Sequence, residues 1–397
     1  MKRMLTDLDL KGKRVLLRAD LNVPLDDKGN ITDDTRIYME LPTIRYILKQ
    51  GAKLIICSHL GRPKGEFNQK YSMFPVAQQL IKYLINKIYF AVDVVGPDAT
   101  EKAKNLKEGE ILLLENLRFH KEEELNDLYF AKKLASMADV YIDDAFGTIH
   151  RKHASIYRVA KLLPKNGMGF LMGKEINTIT EAMENPKRPL VVVLGGAKVS
   201  DKIGVVKNLM EKADYVLIGG AMAFTFLKAK GYDVGKSIVD DESLGVAREI
   251  LEKAEAEGKK IVLPIDVAAT ETYSPNASAR CYDVDKIPSN LMGLDIGPKT
   301  IKLYKSIIKS GKTFIWNGPM GVFEFSNFSK GTEAIAKAIA KTGGFSIVGG
   351  GDSVAAVKLL RLENKFTHLS TGGGATLALL EGAELPGLEA LTDVKEN

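Results

Sequence analysis

The chain has 397 residues, of which 45% are apolar and 27% charged, a size and balance that fit a globular protein of two domains. Its net charge of +6 is modest for the length and both signs are spread along the chain, which argues against a protein that coats nucleic acid. The longest apolar runs, such as LVVVLGG, are far too short to span a bilayer.

The N-terminal stretch carries Asp7 and Asp9 where a signal peptide needs its apolar core. From there, Val- and Ile-rich runs predict strands over 13–21, 52–59, 88–95, 110–119 and 138–146. The second half adds strands over 190–196, 215–220, 260–267, 313–318 and 345–350. Between them, the spacing predicts helices over 74–86, 122–137, 199–212, 242–257 and 329–342. Strands that are apolar along their whole length are buried on both faces, and their alternation with helices gives βαβ units. The expected fold is therefore α/β, with two Rossmann-like domains, each a parallel sheet flanked by helices. The stretch 173–189 reads as a helical connector ended by Pro186 and Pro189. The expected division is 1–172, a connector at 173–187, a second domain at 188–379 and a tail at 380–397. Cys57, in a strand pattern, reads as a buried thiol, and with Cys281 it forms neither a disulfide framework nor a zinc site. A reduced, cytoplasmic protein is expected.

Ligands of open parallel sheets bind outside the carboxyl ends of the strands. In the first half those ends are basic: Arg18, Asp20 and Asn22, then His59 and Arg62, then Arg118 and His120, then His150, Arg151 and His153, with Arg36 opening a helix. Each arginine alone could be a solvated surface residue. Their recurrence at successive strand ends implies a small, multiply charged anion. Asp143, Asp144, His150 and His153 lie close in sequence, but they lack the spacing of a zinc signature.

In the second half the strand ends are glycine-rich. Gly195-Gly196 precede Lys198 and Lys202, Gly219-Gly220 follow the next strand, and Asn317, Gly318, Gly321 and Glu324 follow another. Two glycine triplets then appear, Gly349 to Gly351 before Asp352 and Ser353, and Gly372 to Gly374. Glycine triplets lose backbone entropy, a cost tolerated where a phosphate must approach the main chain. Bare amides and two lysines suit a nucleotide's phosphates, Asp352 could meet Mg²⁺, and Glu324 could accept from ribose hydroxyls. GYDVGKS (231–237) imitates a P-loop but has one residue too few between its glycines, so it reads as a turn after a helix. No GxGxxG opens a helix after a strand, which weakens a dinucleotide reading.

Nine stretches, in order, carry a resemblance: RADLNVP, SHLGRP, ENLRFHKEEELND, DDAFGTIHRKHAS, LGGAKVSDKI, GLDIGPKT, WNGPMGVFE, GGGDS and STGGGA. Along essentially its whole length the chain resembles the phosphoglycerate kinases. The resemblance implies reversible phosphoryl transfer between ATP and the carboxylate of 3-phosphoglycerate, giving 1,3-bisphosphoglycerate, in a hinge-bending monomer that closes to react and needs Mg²⁺ with its nucleotide. It implies that Asp20 and Asn22 hold the substrate's hydroxyl and carboxylate end, and that His59, Arg62, Arg118 and Arg151 hold its phosphate. On the nucleotide side it implies Lys202 on the phosphates, an adenine pocket lined by Gly219, Gly220, Gly293 and Asn317, Glu324 on the ribose and Asp352 on the metal. Gly350, Gly351, Asp352 and Ser353, with Gly372, Gly373 and Gly374, would present amides to the phosphates. Arg36, Lys198 and Gly373 would meet the phosphoryl group in transfer. The tail would return to the first domain. A carboxylate nucleophile is already ionised at neutral pH, so no general base is needed. Two other readings remain open at this point: an acyl-phosphate-forming kinase for another acid, and a nucleotide-binding module without turnover.

Overall fold

Six parallel strands organise the first half of the chain: β1 (Arg14–Arg18), β2 (Lys53–Cys57), β3 (Ile88–Phe90), β4 (Ile111–Leu113), β5 (Val140–Asp143) and β6 (Asn166–Met168), in the order β3-β4-β2-β1-β5-β6. The structure, a computed structural model, describes residues 1–394. The chain divides into two units, Met1–Ile176 with the segment from Glu384 on, and Asn177–Ala383. Among the described residues, no helix is long and apolar enough to cross a membrane.

In the first unit Val15, Leu17, Leu54, Ile56, Leu113 and Ile142 pack against Ile37, Leu41, Ile44 and Ile47 of the helix Thr35–Lys49, and all ten are buried. Each such side chain contributes roughly 1.5–3 kcal/mol relative to exposure. The register sets Arg18 level with Cys57 on one side and with Asp143 on the other. The residues after these three positions therefore leave the sheet at one edge.

The second unit repeats the plan with β7 (Leu190–Leu194), β8 (Tyr215–Ile218), β9 (Ile261–Val262), and, after a second small sheet, β13 (Thr313–Asn317), β14 (Phe345–Gly349) and β15 (His368–Leu369). Their order is β15-β14-β13-β7-β8-β9, all parallel, so the winding reverses between β13 and β7. Leu194 is level with Asn317 and Ile218, and Asn317 with Gly349, which brings four glycine-bearing loops to one edge.

The small sheet is antiparallel: β10 (Asp266–Thr270) lies between β11 (Arg280–Asp283) and β12 (Met292–Ile296). The expected strand over 260–267 is thus two strands in two sheets, with Pro264, which cannot donate to a ladder, between them. The helix expected over 122–137 is broken into Lys121–Glu124 and Leu128–Ala135, because Asn126 takes a positive φ of 54° and Asp127 caps Phe130 N at 2.7 Å. The helix expected from residue 199 starts at Ile203, and the connector helix runs Phe170–Glu184. GYDVGKS follows the helix Met222–Ala229 as irregular chain, with Gly235 close against the carbonyls of Leu291 and Pro288.

At the first turn of the helix Phe170–Glu184, Asp144 accepts from Met172 N at 2.8 Å and from the Thr43 hydroxyl at 2.5 Å. Glu40 is fully buried beside it, and apart from Asp144 itself its carboxyl oxygens find no hydrogen-bond partner. Burial, then the charge of Asp144, pushes the Glu40 carboxyl well above the ordinary range. Cys57 is buried in β2, where burial pushes its thiol up to about 12, whereas Cys281 is exposed on β11, an edge strand of the small sheet.

Candidate active site

At the carboxyl edge of the first sheet, side chains from five segments form a basic recess. Arg18 ends β1 and is 1% exposed; its guanidinium donates to Ala19 O at 2.5 Å, to Ser155 Oγ at 2.9 Å and to His59 Nδ1 at 3.1 Å. Arg118 is buried after β4, donates to Gly61 O at 3.0 Å and leaves Nε without a partner, 3.8 Å from Glu124. Burial and the neighbouring charge of Arg18 bring Arg118 down to about 10, with Arg151 adding to the effect. Burial, then Arg18, Arg118, Arg36 and His153, push His59 well below the ordinary imidazole range. His153 falls to about 3 through burial first, then the charges of Arg18, Arg118 and Arg151, and its Nδ1 is buried without a hydrogen-bond partner.

The remaining first-unit candidates lie around this recess. Arg36, in the first turn of its helix, donates to Asp20 Oδ2 at 2.5 Å. Asn22 accepts from Gly61 N at 2.9 Å through its side-chain oxygen, which leaves its amide NH₂ to donate elsewhere. Arg151 contacts His150 at 3.4 Å. Arg62 is exposed and, among the described residues, its side chain makes no hydrogen bond or ion pair.

In the second unit the glycines divide into two kinds. Gly195, Gly220 and Gly318 are packed backbone to backbone: a Cβ on Gly195 would lie 2.0 Å from Pro319 O, on Gly220 2.5 Å from Gly196 N, and on Gly318 2.1 Å from Gly195 O. Gly219 and Gly293 are covered by side chains, Met320 and Phe224 respectively. By contrast, a Cβ on Gly351 or Gly373 would meet nothing within 4 Å. These two positions, beside Gly350 at φ 87° and with Gly373 at φ 51°, are where backbone stands open to a ligand.

Lys202 caps the helix Ile203–Lys212 and turns inward, donating to the carbonyls of Gly195 and Asn317. Burial holds its ammonium down to about 8, against the opposing pull of Asp201 and Asp352. Lys198 is exposed on irregular chain, within electrostatic reach of Asp240. The buried Asn317 has an unpartnered Nδ2. Ser353 is also buried, and its hydroxyl accepts from Gly318 N at 2.7 Å, joining the first triplet to the loop after β13. Gly372 N reaches Ser370 Oγ at 3.3 Å, and Gly374 begins the next short helix. Glu324 is exposed at the mouth of a recess of ≈ 230 Å³ that it shares with Phe323, Ala356 and Leu360.

Asp352 stands exposed in the first turn of the helix Gly351–Leu359, with no hydrogen bond or ion pair among the described residues. No group of three metal-ligating side chains occurs among those residues. One free carboxylate beside open backbone fits a magnesium ion that takes its other oxygens from phosphate and water.

Residues 5–383 match the protein family described as phosphoglycerate kinase. The chain belongs to the phosphoglycerate kinase family. It is 54% identical over 390 residues to the phosphoglycerate kinase of Dictyoglomus turgidum, covering 98% of each chain. It is 51% identical over 399 residues to that of Thermosipho africanus, covering 100% of this chain and 99% of the other. The solved structure of the Coxiella burnetii phosphoglycerate kinase superposes with a TM-score of 0.91 at 40% identity, over 98% of both chains. Phosphoglycerate kinases are phosphotransferases with a carboxyl group as acceptor, and they use ATP and ADP.

The same edge of the first sheet thus gathers Arg36, Asp20, Asn22, His59, Arg118 and Arg151 of this phosphoglycerate kinase sequence. Beneath them lie Arg18, which sequence reasoning counted only among the basic strand ends, and Ser155 and Glu123, to which it assigned no role. An arginine in the last position of RVLLR, a strand buried from Val15 to Arg18, was the available signal for a deeper place. It likewise missed Met320 and Phe224, whose side chains cover Gly219 and Gly293 and carry no signal of their own.

Proposed function

We infer that the chain performs its family's reaction, a step of glycolysis and gluconeogenesis, with phosphoglycerate on the first unit and nucleotide on the second. ATP and 3-phosphoglycerate give ADP and 1,3-bisphosphoglycerate, reversibly. The observation that carries the assignment is the gathering of Arg18, Arg118, Arg36 and Arg151 around His59 and His153, where burial first and these charges second lower the Arg118 guanidinium and both imidazoles. Crowded cations are costly alone and are relieved by a multiply charged anion.

In this reading Arg118, Arg151 and His59 hold the substrate's non-reacting phosphate, and Arg62 is free to join them. Asn22 offers its NH₂ and Asp20 its second oxygen to the hydroxyl and carboxylate end. Arg36, kept in place by Asp20, stands toward the reacting carboxylate. On the other ligand, the open backbone at Gly350, Gly351 and Gly372 to Gly374 receives phosphates, with Ser353 and Asn317 shaping the floor. Gly219, Gly220 and Gly293 line the adenine side with Met320 and Phe224, and Glu324 accepts from ribose. Lys202 exchanges a backbone carbonyl for a phosphate oxygen, and Lys198 approaches the phosphoryl group in flight.

The substrate carboxylate forms the new P–O bond as the β,γ-bridging bond of ATP breaks, so no proton has to move. The protein's part is positioning and neutralising charge. Asp352 would hold magnesium bound with the nucleotide, which would supply further neutralisation of the phosphates. The test is ADP formation from ATP, strictly dependent on 3-phosphoglycerate. Turnover with acetate in its place would reassign the acceptor, and nucleotide binding without turnover would remove the enzyme reading.

A further inference from the structure

We propose that Arg18, clamped by Ser155 and Glu123, fixes His59 as its Nε2–H tautomer and so makes it an uncharged hydrogen-bond donor in the basic recess. Its importance for catalysis rests on the reading of that recess as the phosphoglycerate site.

The direction of each hydrogen bond is forced by chemistry. A guanidinium has donors and no acceptor, so in the 3.1 Å contact between Arg18 Nη2 and His59 Nδ1 the ring nitrogen accepts. A ring whose Nδ1 accepts is neutral and carries its one proton on Nε2. Arg18 cannot turn away, because it is 1% exposed and its other two contacts are to Ala19 O at 2.5 Å and Ser155 Oγ at 2.9 Å. The Ser155 hydroxyl has its proton committed to Glu123 Oε1 at 2.6 Å, which leaves only a lone pair for Arg18. Ser155 N donates to the other Glu123 oxygen at 3.0 Å, so both ends of that buried carboxylate are engaged. Glu123 thus both balances the guanidinium and sets the sense of the relay.

The charges facing His59 act in the same direction. Burial opposes a ring proton first, and then Arg18, Arg118 and Arg36 do, while the neighbouring His153 is itself held neutral. A protonated His59 would add another cation to a crowded set and break the Arg18 contact. The neutral tautomer supplies a donor to an anion without proton uptake. Substrate binding should therefore show no imidazole ionisation from this residue.

The test is long-range ¹H–¹⁵N correlation spectroscopy on the full chain with ¹⁵N-labelled histidine, the His59 signal being assigned by its loss in His59→Gln. Across about pH 5.5 to 8.5 the wild type should show an unprotonated Nδ1, a protonated Nε2 and no titration. A His59 that titrates in this window, or that carries its proton on Nδ1, overturns the proposal. Arg18→Lys and Ser155→Ala should each give mixed tautomers or a titrating ring. They should raise the KM for 3-phosphoglycerate about tenfold, the loss of one charge-assisted contact, and make it pH-dependent. Intact folding of each variant is checked by its circular dichroism and by unchanged ring signals of His120, which lies in the same unit. Wild-type His59 spectra in both variants would show that Arg18 does not set the tautomer. If Arg18→Lys does not fold, Ser155→Ala and the wild-type spectrum still decide. Adding 3-phosphoglycerate should move the Nε2–H signal. A fixed tautomer that ignores the substrate would sustain the proposal and remove His59 from the substrate reading.

Discussion

The Lys202 ammonium donates to the main-chain carbonyl of Asn317 at 3.1 Å and to that of Gly195, joining the loops after β7 and β13 from a position only 8% exposed. A lysine held to about 8 by burial is half neutral near that pH. Its lowered value means the free protein gives up this proton between roughly pH 8 and 10.5, where an exposed lysine keeps it. A bound phosphate favours the ammonium again. ADP binding at pH 8.5 should therefore take up about half a proton or more, and affinity should fall as pH rises through 8. Calorimetry in two buffers of different ionisation heat reads the uptake. Lys202→Met should bind ADP weakly and take up none, and an unchanged uptake in that variant would place the proton elsewhere.

Lys198 and Arg118 should fail in different ways. Arg118 is buried and pre-set on Gly61 O, so the contact proposed for it with a non-reacting phosphate would be similar in ground and transition states. Arg118→Ala should raise the KM for 3-phosphoglycerate with a smaller effect on kcat. Lys198 is exposed and ordered by no hydrogen bond among the described residues, so its contribution appears only when charge develops nearby. Lys198→Ala should cut kcat roughly a hundredfold or more with modest KM changes. Steady-state kinetics that leave kcat at the wild-type value would remove Lys198 from the transferring group.

Asp352→Asn separates two uses of one carboxylate. As a residue in a first helical turn it could serve the helix alone, and asparagine would serve nearly as well. As a magnesium ligand it cannot be replaced by a neutral amide without loss. The expected outcome is a large fall in activity that rises again with added Mg²⁺. Full activity at low Mg²⁺ would leave only the helical role.

Glu40→Gln should stabilise the first unit in a pH-dependent way. In the unfolded chain Glu40 ionises above about pH 4.5, while the buried carboxyl keeps its proton to much higher pH. The folded state then binds more protons, so wild-type stability relative to the glutamine variant falls as pH rises. The gap should be small near pH 5 and widen by up to about 1.4 kcal/mol per pH unit above it. Thermal melts at pH 5 and 7.5 provide the comparison, and a gap that is constant with pH would mean that Glu40 ionises normally.

The long-range plan was legible because it rests on period and composition. Runs such as LVVVL are buried at every position, and only a parallel sheet covered on both faces accommodates that. The basic and glycine-rich strand ends were legible for the same reason, since register puts them at one edge. What escaped depends on partners distant in sequence. Nothing in IVLPIDV says that its two ends pair with different sheets, except a proline whose effect could have been a bulge. Nothing local says that in the free chain the Lys202 ammonium rests on the carbonyls of Gly195 and Asn317, the latter 115 residues away. The glycines looked alike in the sequence, yet Gly195 and Gly318 exist for each other's backbone while Gly351 and Gly373 face open space. The Glu123–Ser155–Arg18 chain joins the end of β1 to two short helical segments far along the chain and leaves no local pattern.

The two thiols, one in each unit, differ in reach as much as in acidity. Cys57 is sealed in the sheet of the first unit, with a thiol pushed up to about 12, while Cys281 lies on an exposed edge of the second. An alkylating dye added to the folded enzyme will therefore find one partner, and a second will become available only when the first unit opens. That makes the native chain its own singly tagged reporter: a fluorophore on Cys281 senses the second unit without an engineered cysteine, and the delayed arrival of a second label times the unfolding of the first.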